Sequence, residues 1–286
     1  MVSTALVDTT VQSTERDSHV FHRTFPASLE VFDGHYPGFP IVPGVLLVES
    51  CAAAVNKVHG GSGHWTGVRS ARFHTPVRPE ADVVITVAVT PRGGAGSDYK
   101  CVVTSDGNAV CTATLTYSVS YTPGAAAGAV EPLREALAWD IKKVLPHRTP
   151  ILLVDRVDSL VSGQSIVARK AISANEAFYR ELPTTSPFPR SLMMESWCQS
   201  AGVLISTEDP NPDVLTGDVM LFGGMRGVEF HREAHPGDVL VHHSMVERMV
   251  DGTAVMTGQT FIDGEPVMTV GSITLARRPA TELTGH

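Results

Sequence analysis

The chain has 286 residues, 43% of them hydrophobic and 18% charged, with a formal net charge of −8. That length is one large or two medium domains with ample material for a core. The acidic balance excludes a general nucleic-acid binder, which needs a basic face to displace counterions.

Four cysteines, Cys51, Cys101, Cys111 and Cys198, form no CxxC pair. Neither a structural zinc site nor a disulfide scaffold is expected, and free thiols in a reducing cytoplasm are the reading. The N-terminus lacks the basic start and apolar run of a signal peptide, and no apolar run approaches the ~20 residues of a membrane span. A cytoplasmic chain without membrane contact is expected.

In chain order, residues 1–18 are polar and unpatterned and read as a mobile tail. Residues 19–121 form a first block. It holds a loop rich in Pro and Gly, an apolar helix over Val45–Val55, and stretches that alternate apolar with polar residues, such as CTATLTYSVS. Residues 122–135, beginning TPGAAAGAV, read as a linker. Residues 136–280 form a second block with its own apolar helix, Leu192–Ile205. Period-2 alternation predicts strands, and the Asp-Gly pairs at 106–107, 251–252 and 263–264 predict hairpin turns.

The blocks repeat each other. Phe73-His74 aligns with Phe230-His231, Asp82-Val83 with Asp238-Val239, and LLVES (Leu46–Ser50) with LMMES (Leu192–Ser196). Each block is one buried helix followed by antiparallel strands, an α+β layout, so two fused copies predict an intrachain pseudo-dimer. From Glu49 to Phe73 is 24 residues and from Glu195 to Phe230 is 35. The excess, STEDPNPDVLTGD, reads as a surface insertion.

The segment Asp33–Ser50, DGHYPGFPIVPGVLLVES, carries the chemistry. His35 stands in a loop braced by prolines and glycines. Glu49 stands inside an apolar helix, where a carboxylate is costly unless paired or functional and where burial raises its pKa. This segment resembles the active-site pattern GHFPxxPxxPGVLxxE of FabZ/FabA-type 3-hydroxyacyl-ACP dehydratases, and Leu145–Val157, LPHRTPILLVDRV, resembles the opening segment of FabZ members. The resemblance covers most of residues 19–280. It implies a double hot dog, in which an antiparallel sheet wraps a long central helix twice over, and an acyl carrier protein as partner. Further pairing of the pseudo-dimer stays open.

Between Asn175 and Glu195 the second block has no histidine, so it cannot supply the base. It does have the family's Glu-x-x-x-Gln as Glu195 and Gln199, which share a helix face. The first block has Ala53 where that Gln belongs. In this family the His and the acid of one site come from opposite subunits. His35 is therefore expected to meet Glu195 across the pseudo-dimer, with Glu49 as the spare carboxylate and second choice of acid.

On this reading His35 removes the C2 proton of a (3R)-3-hydroxyacyl thioester carried on phosphopantetheine. Glu195 protonates the departing hydroxyl, directly or through a water, to leave a trans-2-enoyl thioester. No metal or redox cofactor is expected. Gly44 and Arg190, each five residues before its Glu, are candidate backbone donors to the thioester oxygen at a helix N-terminus. A Glu rather than an Asp at the acid position implies the plain dehydratase rather than the dehydratase/isomerase. Two other readings stay open: a hot-dog acyl thioesterase, and a degenerate acyl-binding or partner subunit. HREAH (His231–His235) is not the HExxH zinc pattern and enters a strand, so no metal is expected there.

Overall fold

The two apolar stretches fold as long helices, α1 over Gly44–Val58 and α2 over Arg190–Ser206. Each begins immediately after a proline, Pro43 or Pro189, whose fixed φ sets the direction of entry. Of the 17 residues of α2, 15 are buried, so this helix has no solvent face and must be enclosed.

What encloses the helices is one 12-stranded antiparallel sheet. The computed structural model describes residues 10–15, 18–59, 64–91, 96–118, 140–180 and 182–284. The strands of the first half are β1 (Thr10–Glu15), β2 (Ser18–Thr24), β3 (His64–Phe73), β4 (Asp82–Pro91), β5 (Gly96–Ser105) and β6 (Asn108–Ser118). Those of the second half are β7 (Arg156–Val161), β8 (Ser165–Ala171), β9 (Asp218–Phe230), β10 (Val239–Val250), β11 (Thr253–Ile262) and β12 (Glu265–Pro279). Their order across the sheet is β1-β2-β4-β5-β6-β3-β9-β12-β11-β10-β8-β7. The sheet is thus two copies of one six-stranded order, joined where β3 pairs antiparallel with β9, Val68 opposite Val228.

Most of the repeat read from sequence holds to the level of single hydrogen bonds, but the match of Asp82-Val83 to Asp238-Val239 slips by one: Ile85 pairs with Val103 where His242 pairs with Thr260, which sets Asp82 against Val239. His74 N–H donates to Val110 O and His231 N–H to Val267 O, both at 2.9 Å. Ahead of the helices, Val42 N–H donates to Val77 O at 2.8 Å and Phe188 N–H to Ala234 O at 2.7 Å. At all three Asp-Gly turns both residues have positive φ, from 47° to 82°, as type I′ hairpins require.

Residues 10–15 of the segment read as a mobile tail form an edge strand, paired with β2 from Thr10–His22 to Glu15–Ser18. Backbone pairing alone places an edge strand, so TVQSTE needs no apolar alternation. The expected linker, 122–135, lies outside the described residues. No helix of the described residues is long and apolar enough to cross a membrane.

Candidate functional site

The loop before α1 is anchored from below by Phe25, Leu29, Val31 and Phe32, all buried. One turn of helix, Val31–Gly34, delivers the chain to His35. His35 is then clamped to Ile41 twice. Ile41 N–H donates to His35 O at 3.0 Å, and the ring Nδ1 lies 3.0 Å from Ile41 O. A carbonyl only accepts, so Nδ1 carries the hydrogen and the lone pair of Nε2 is left for the cavity.

Gly34 brings the second half in. Arg148 N–H donates to Gly34 O at 3.0 Å. A Cβ at Gly34 would stand 2.1 Å from Arg148 O, so only glycine admits this approach. Arg148 wraps its own segment, donating to the carbonyls of Lys142, Leu145 and His147 at 2.7–3.0 Å. This crossing places His147 against the base loop. The rings of His35 and His147 are 5.3 Å apart, and Tyr36 packs its edge on His147 at 4.9 Å.

From α2 comes Glu195. Gln199 Nε2 donates to Glu195 Oε1 at 2.9 Å, and His147 Nε2 lies 3.3 Å from the same oxygen. Gln199 is itself fixed: its Nε2 also donates to Ile151 O at 2.7 Å, and its Oε1 accepts Leu153 N–H at 2.8 Å. The donor atoms of His35, His147 and Glu195 all lie within 4.8 Å of one another, and all three residues are buried. The structure therefore brings together His35, Glu195 and Gln199. It adds His147, which sequence reasoning missed: LPHRTP carries a family resemblance but does not by itself say that its histidine reaches His35.

Burial pushes the His35 imidazole down to about 4, and the neighbouring His147 adds to that, so His35 is neutral near pH 7. Burial alone would push the Glu195 carboxyl up. The hydrogen bond and charge of His147, helped by His35 and Gln199, outweigh it and hold the carboxyl below its usual value. A lone buried carboxylate drifts toward its acid form; Glu195 has partners that reverse the drift.

These groups sit in a cavity of about 390 Å³. Gly44, Leu47 and Phe73 form one wall, and Cys198, Gly202 and Ser206 along α2 form another. Gly44 opens α1 onto the cavity, and a Cβ there would stand 2.9 Å from the Phe73 ring. Of the two backbone donors expected, Gly44 faces the cavity and Arg190 does not. Arg190 lies instead over the Phe230 ring, 5.2 Å from its centroid, where its charge acts on Glu49. The insertion at 206–218 is not purely superficial: Val214 is buried against Phe39 and Ile41, and Asp209 and Asn211 line the cavity.

Glu49 occupies the matching place in the other half, where no histidine among the described residues acts on it. Burial pushes its carboxyl up, against a hydrogen bond from Ser191 and the charges of Arg190 and Arg23. Among the described residues the three groups able to hold a metal ion together are His35, His147 and Glu195. The HREAH histidines are not among them: His231 bonds Thr269 Oγ1 at 2.8 Å, and His235 lies on the exposed side near Glu233.

Residues 145–271 match the FabA-like domain family, and residues 11–114 match the ApeI-like dehydratase family. A FabZ 3-hydroxyacyl-[acyl-carrier-protein] dehydratase of Oenococcus oeni is 35% identical over 129 residues, which is 45% of this chain and 90% of the relative. The relative is thus one half long. Among solved structures, the dehydratase domain of RzxB from Pseudomonas fluorescens superposes with a TM-score of 0.68 at 11% identity, covering 93% of this chain and 96% of that one. The acyl-CoA thioesterase II TesB2 of Mycobacterium marinum superposes at 0.62 and 11% identity, covering 96% and 97%, so the shared fold by itself does not select the reaction. The relative at 35% identity, matched over nine-tenths of its length, does place the sequence: the chain belongs to the FabZ/FabA-type hot-dog dehydratase family, with two copies of the fold in one polypeptide.

Proposed function

We propose that this protein dehydrates (3R)-3-hydroxyacyl thioesters, presented by an acyl carrier protein in fatty-acid or polyketide assembly, at one site per chain. The observation that carries the reading is the convergence of His35 from one half with Glu195 and His147 from the other, within 4.8 Å at the wall of one cavity.

His35 Nε2 takes the pro-elimination proton from C2. The thioester oxygen, gaining charge, faces the N-terminus of α1 at Gly44, where the helix dipole and free backbone N–H groups favour an anion. The C3 hydroxyl leaves as water with a proton delivered by Glu195. Glu195 Oε1 and His147 Nε2 lie 3.3 Å apart, so the two residues act together as the acid that delivers this proton. Afterwards the proton on His35 returns to the Glu195–His147 pair and the site is reset. Protons and water balance over the cycle, so no metal or redox cofactor is required, and dialysis against a chelator should leave the rate unchanged.

A carrier protein is acidic, and the exposed Arg72 and Arg78 flank the Thr75–Val77 lip of the cavity. They are the cations we assign to docking. The test is turnover of a 3-hydroxyacyl thioester, followed by enoyl formation alongside a free-thiol assay. His35→Ala and Glu195→Gln should each cost at least ~100-fold in kcat. A wild-type rate in either, or free thiol released in place of enoyl product, would overturn the reading.

A further inference from the structure

The half that supplies the acid contains a second buried polar chain, one layer behind the site. Ser196 Oγ donates to Leu153 O at 2.6 Å, and His242 Nε2 lies 2.8 Å from the same hydroxyl. Since Ser196 has spent its hydrogen, His242 Nε2–H is the donor and His242 Nδ1 accepts from Thr260 Oγ1 at 2.9 Å. Ser196, His242 and Thr260 are fully buried. Leu153 joins this chain to Gln199 and Glu195, because its own N–H donates to Gln199 Oε1 at 2.8 Å.

The other half serves as an internal control. His242 pairs with Thr260, and Thr260 with Met268. At the same positions of the first half Ile85 pairs with Val103, and Val103 with Cys111. Ile85 and Val103 are buried as completely as His242 and Thr260. Ser50, the counterpart of Ser196, turns back to its own helix and donates to Leu46 O at 2.6 Å. The counterpart of Gln199 is Ala53. So this fold packs the same layer with apolar groups when the adjoining carboxylate, Glu49, has no histidine to work with. A buried polar chain costs desolvation that Ile and Val avoid, and its presence in one half alone calls for a local reason.

We propose that Thr260, His242 and Ser196 are positioning residues for Glu195. They anchor the strip His147–Leu153 to α2 and to β10–β11, and that strip holds both His147 and Gln199 on the carboxylate. The inference rests on the assignment of Glu195 as the acid. His242 is suited to a fixed tautomer, since burial, with the charge of His243, pushes it down to about 3 and keeps it neutral. The titratable groups facing Glu195 itself are His35, Tyr36, His147 and Cys198.

The test transplants the apolar pair of the first half, as His242→Ile with Thr260→Val, into the full chain. The double variant should fold, lose roughly 10- to 100-fold in kcat with KM nearly unchanged, and show the alkaline limb of kcat moved to higher pH as Glu195 is less firmly held. Thr260→Ser alone, which keeps the hydroxyl on His242, should keep the wild-type rate. Ser196→Ala cuts the chain at its centre with little change of volume, and carries the same expectation should the double variant not fold. In a Glu195→Gln background neither change should lower the residual rate further. Wild-type kcat and an unmoved alkaline limb in both variants, with Glu195→Gln inactive, would overturn the positioning role alone. An active Glu195→Gln would instead overturn the assignment of the acid.

Discussion

His35 Nδ1 and the carbonyl oxygen of Ile41 lie 3.0 Å apart, six residues along one loop. That bond decides which ring nitrogen meets the cavity, and burial then decides its charge. A general base works only unprotonated, and a pKa lowered to about 4 extends the working range downward from the ordinary 6.5. We expect the acid limb of kcat/KM to lie well below pH 6.5 and to report the coupled His35–Glu195–His147 group as a whole. Rates measured from pH 4 to 8 check this; a limb at 6.5 or above contradicts it.

His147 should be the next most sensitive position after His35 and Glu195. His147→Phe keeps the ring packed against Tyr36 but removes the donor at Glu195 Oε1. Burial then acts on the carboxyl unopposed by its strongest partner, and its pKa rises. The expected loss in kcat is about 10²-fold. His147→Gln, which keeps an N–H in reach of the oxygen, should lose much less. Equal losses in the two variants would assign His147 to packing alone.

The contact between Gly34 and Arg148 makes its own prediction. Gly34→Ala drives a Cβ into a backbone oxygen now 2.1 Å from where it would stand, and neither partner is a flexible side-chain end. The loop and the Pro146–Pro150 strip must separate. Overpacking of this kind costs ~1–3 kcal/mol, and it moves His35 away from His147. Thermal unfolding should show the destabilisation and turnover a loss larger than stability explains. A fully active, fully stable Gly34→Ala variant would show that the halves approach differently.

Much of this was legible in the sequence, and what was not has identifiable causes. Period-2 alternation and the Asp-Gly turns are local signals, so the strands and their hairpins followed directly. The partnership of His35 with Glu195 was what the family resemblance implies, base and acid coming from opposite subunits, once the second block was seen to lack a histidine between Asn175 and Glu195. The joining of β3 to β9 was not legible, because pattern alone does not say which sheet edges remain free. Nor was His147: it lies 112 residues from His35, and only the tertiary crossing at Gly34 brings the two together. Arg190 was a natural candidate by spacing from Glu195, yet spacing does not tell which helix end faces the cavity. Gly44 takes that place because Phe73 leaves no room for a side chain.

Glu49 should prove dispensable for the reaction. Its counterpart of Gln199 is Ala53, no histidine among the described residues acts on it, and burial pushes its carboxyl up toward the neutral form. Glu49→Gln preserves shape and removes any carboxylate charge, so kcat should stay within about twofold, while stability shifts modestly as Arg23 and Arg190 lose a counter-charge. A large drop in kcat, with the fold intact by circular dichroism, would return the acid role to Glu49.

Acid should destabilise this protein steeply, because two histidines, His35 and His242, are buried in it. His35 is pushed down to about 4 and His242 to about 3, both by burial first. In the unfolded chain each binds a proton near pH 6.5. Above that pH both states are neutral and neither histidine contributes. Between 6.5 and about 4 the unfolded state binds more protons than the folded one, so stability falls as pH falls. At 1.36 kcal/mol per unit the loss approaches roughly 3 kcal/mol per histidine by pH 4. The depressed carboxyl of Glu195 adds in the same direction, since its stabilising contribution is lost as pH falls through its folded value. Urea midpoints should therefore drop steeply between pH 6.5 and 4.5 in the wild type. The slope should be visibly shallower in the His242→Ile, Thr260→Val chain, which has one buried histidine fewer to protonate. Parallel slopes in the two proteins would mean that His242 is already solvated or charged in the folded state, and that the hydrogen-bond directions assigned to it are reversed.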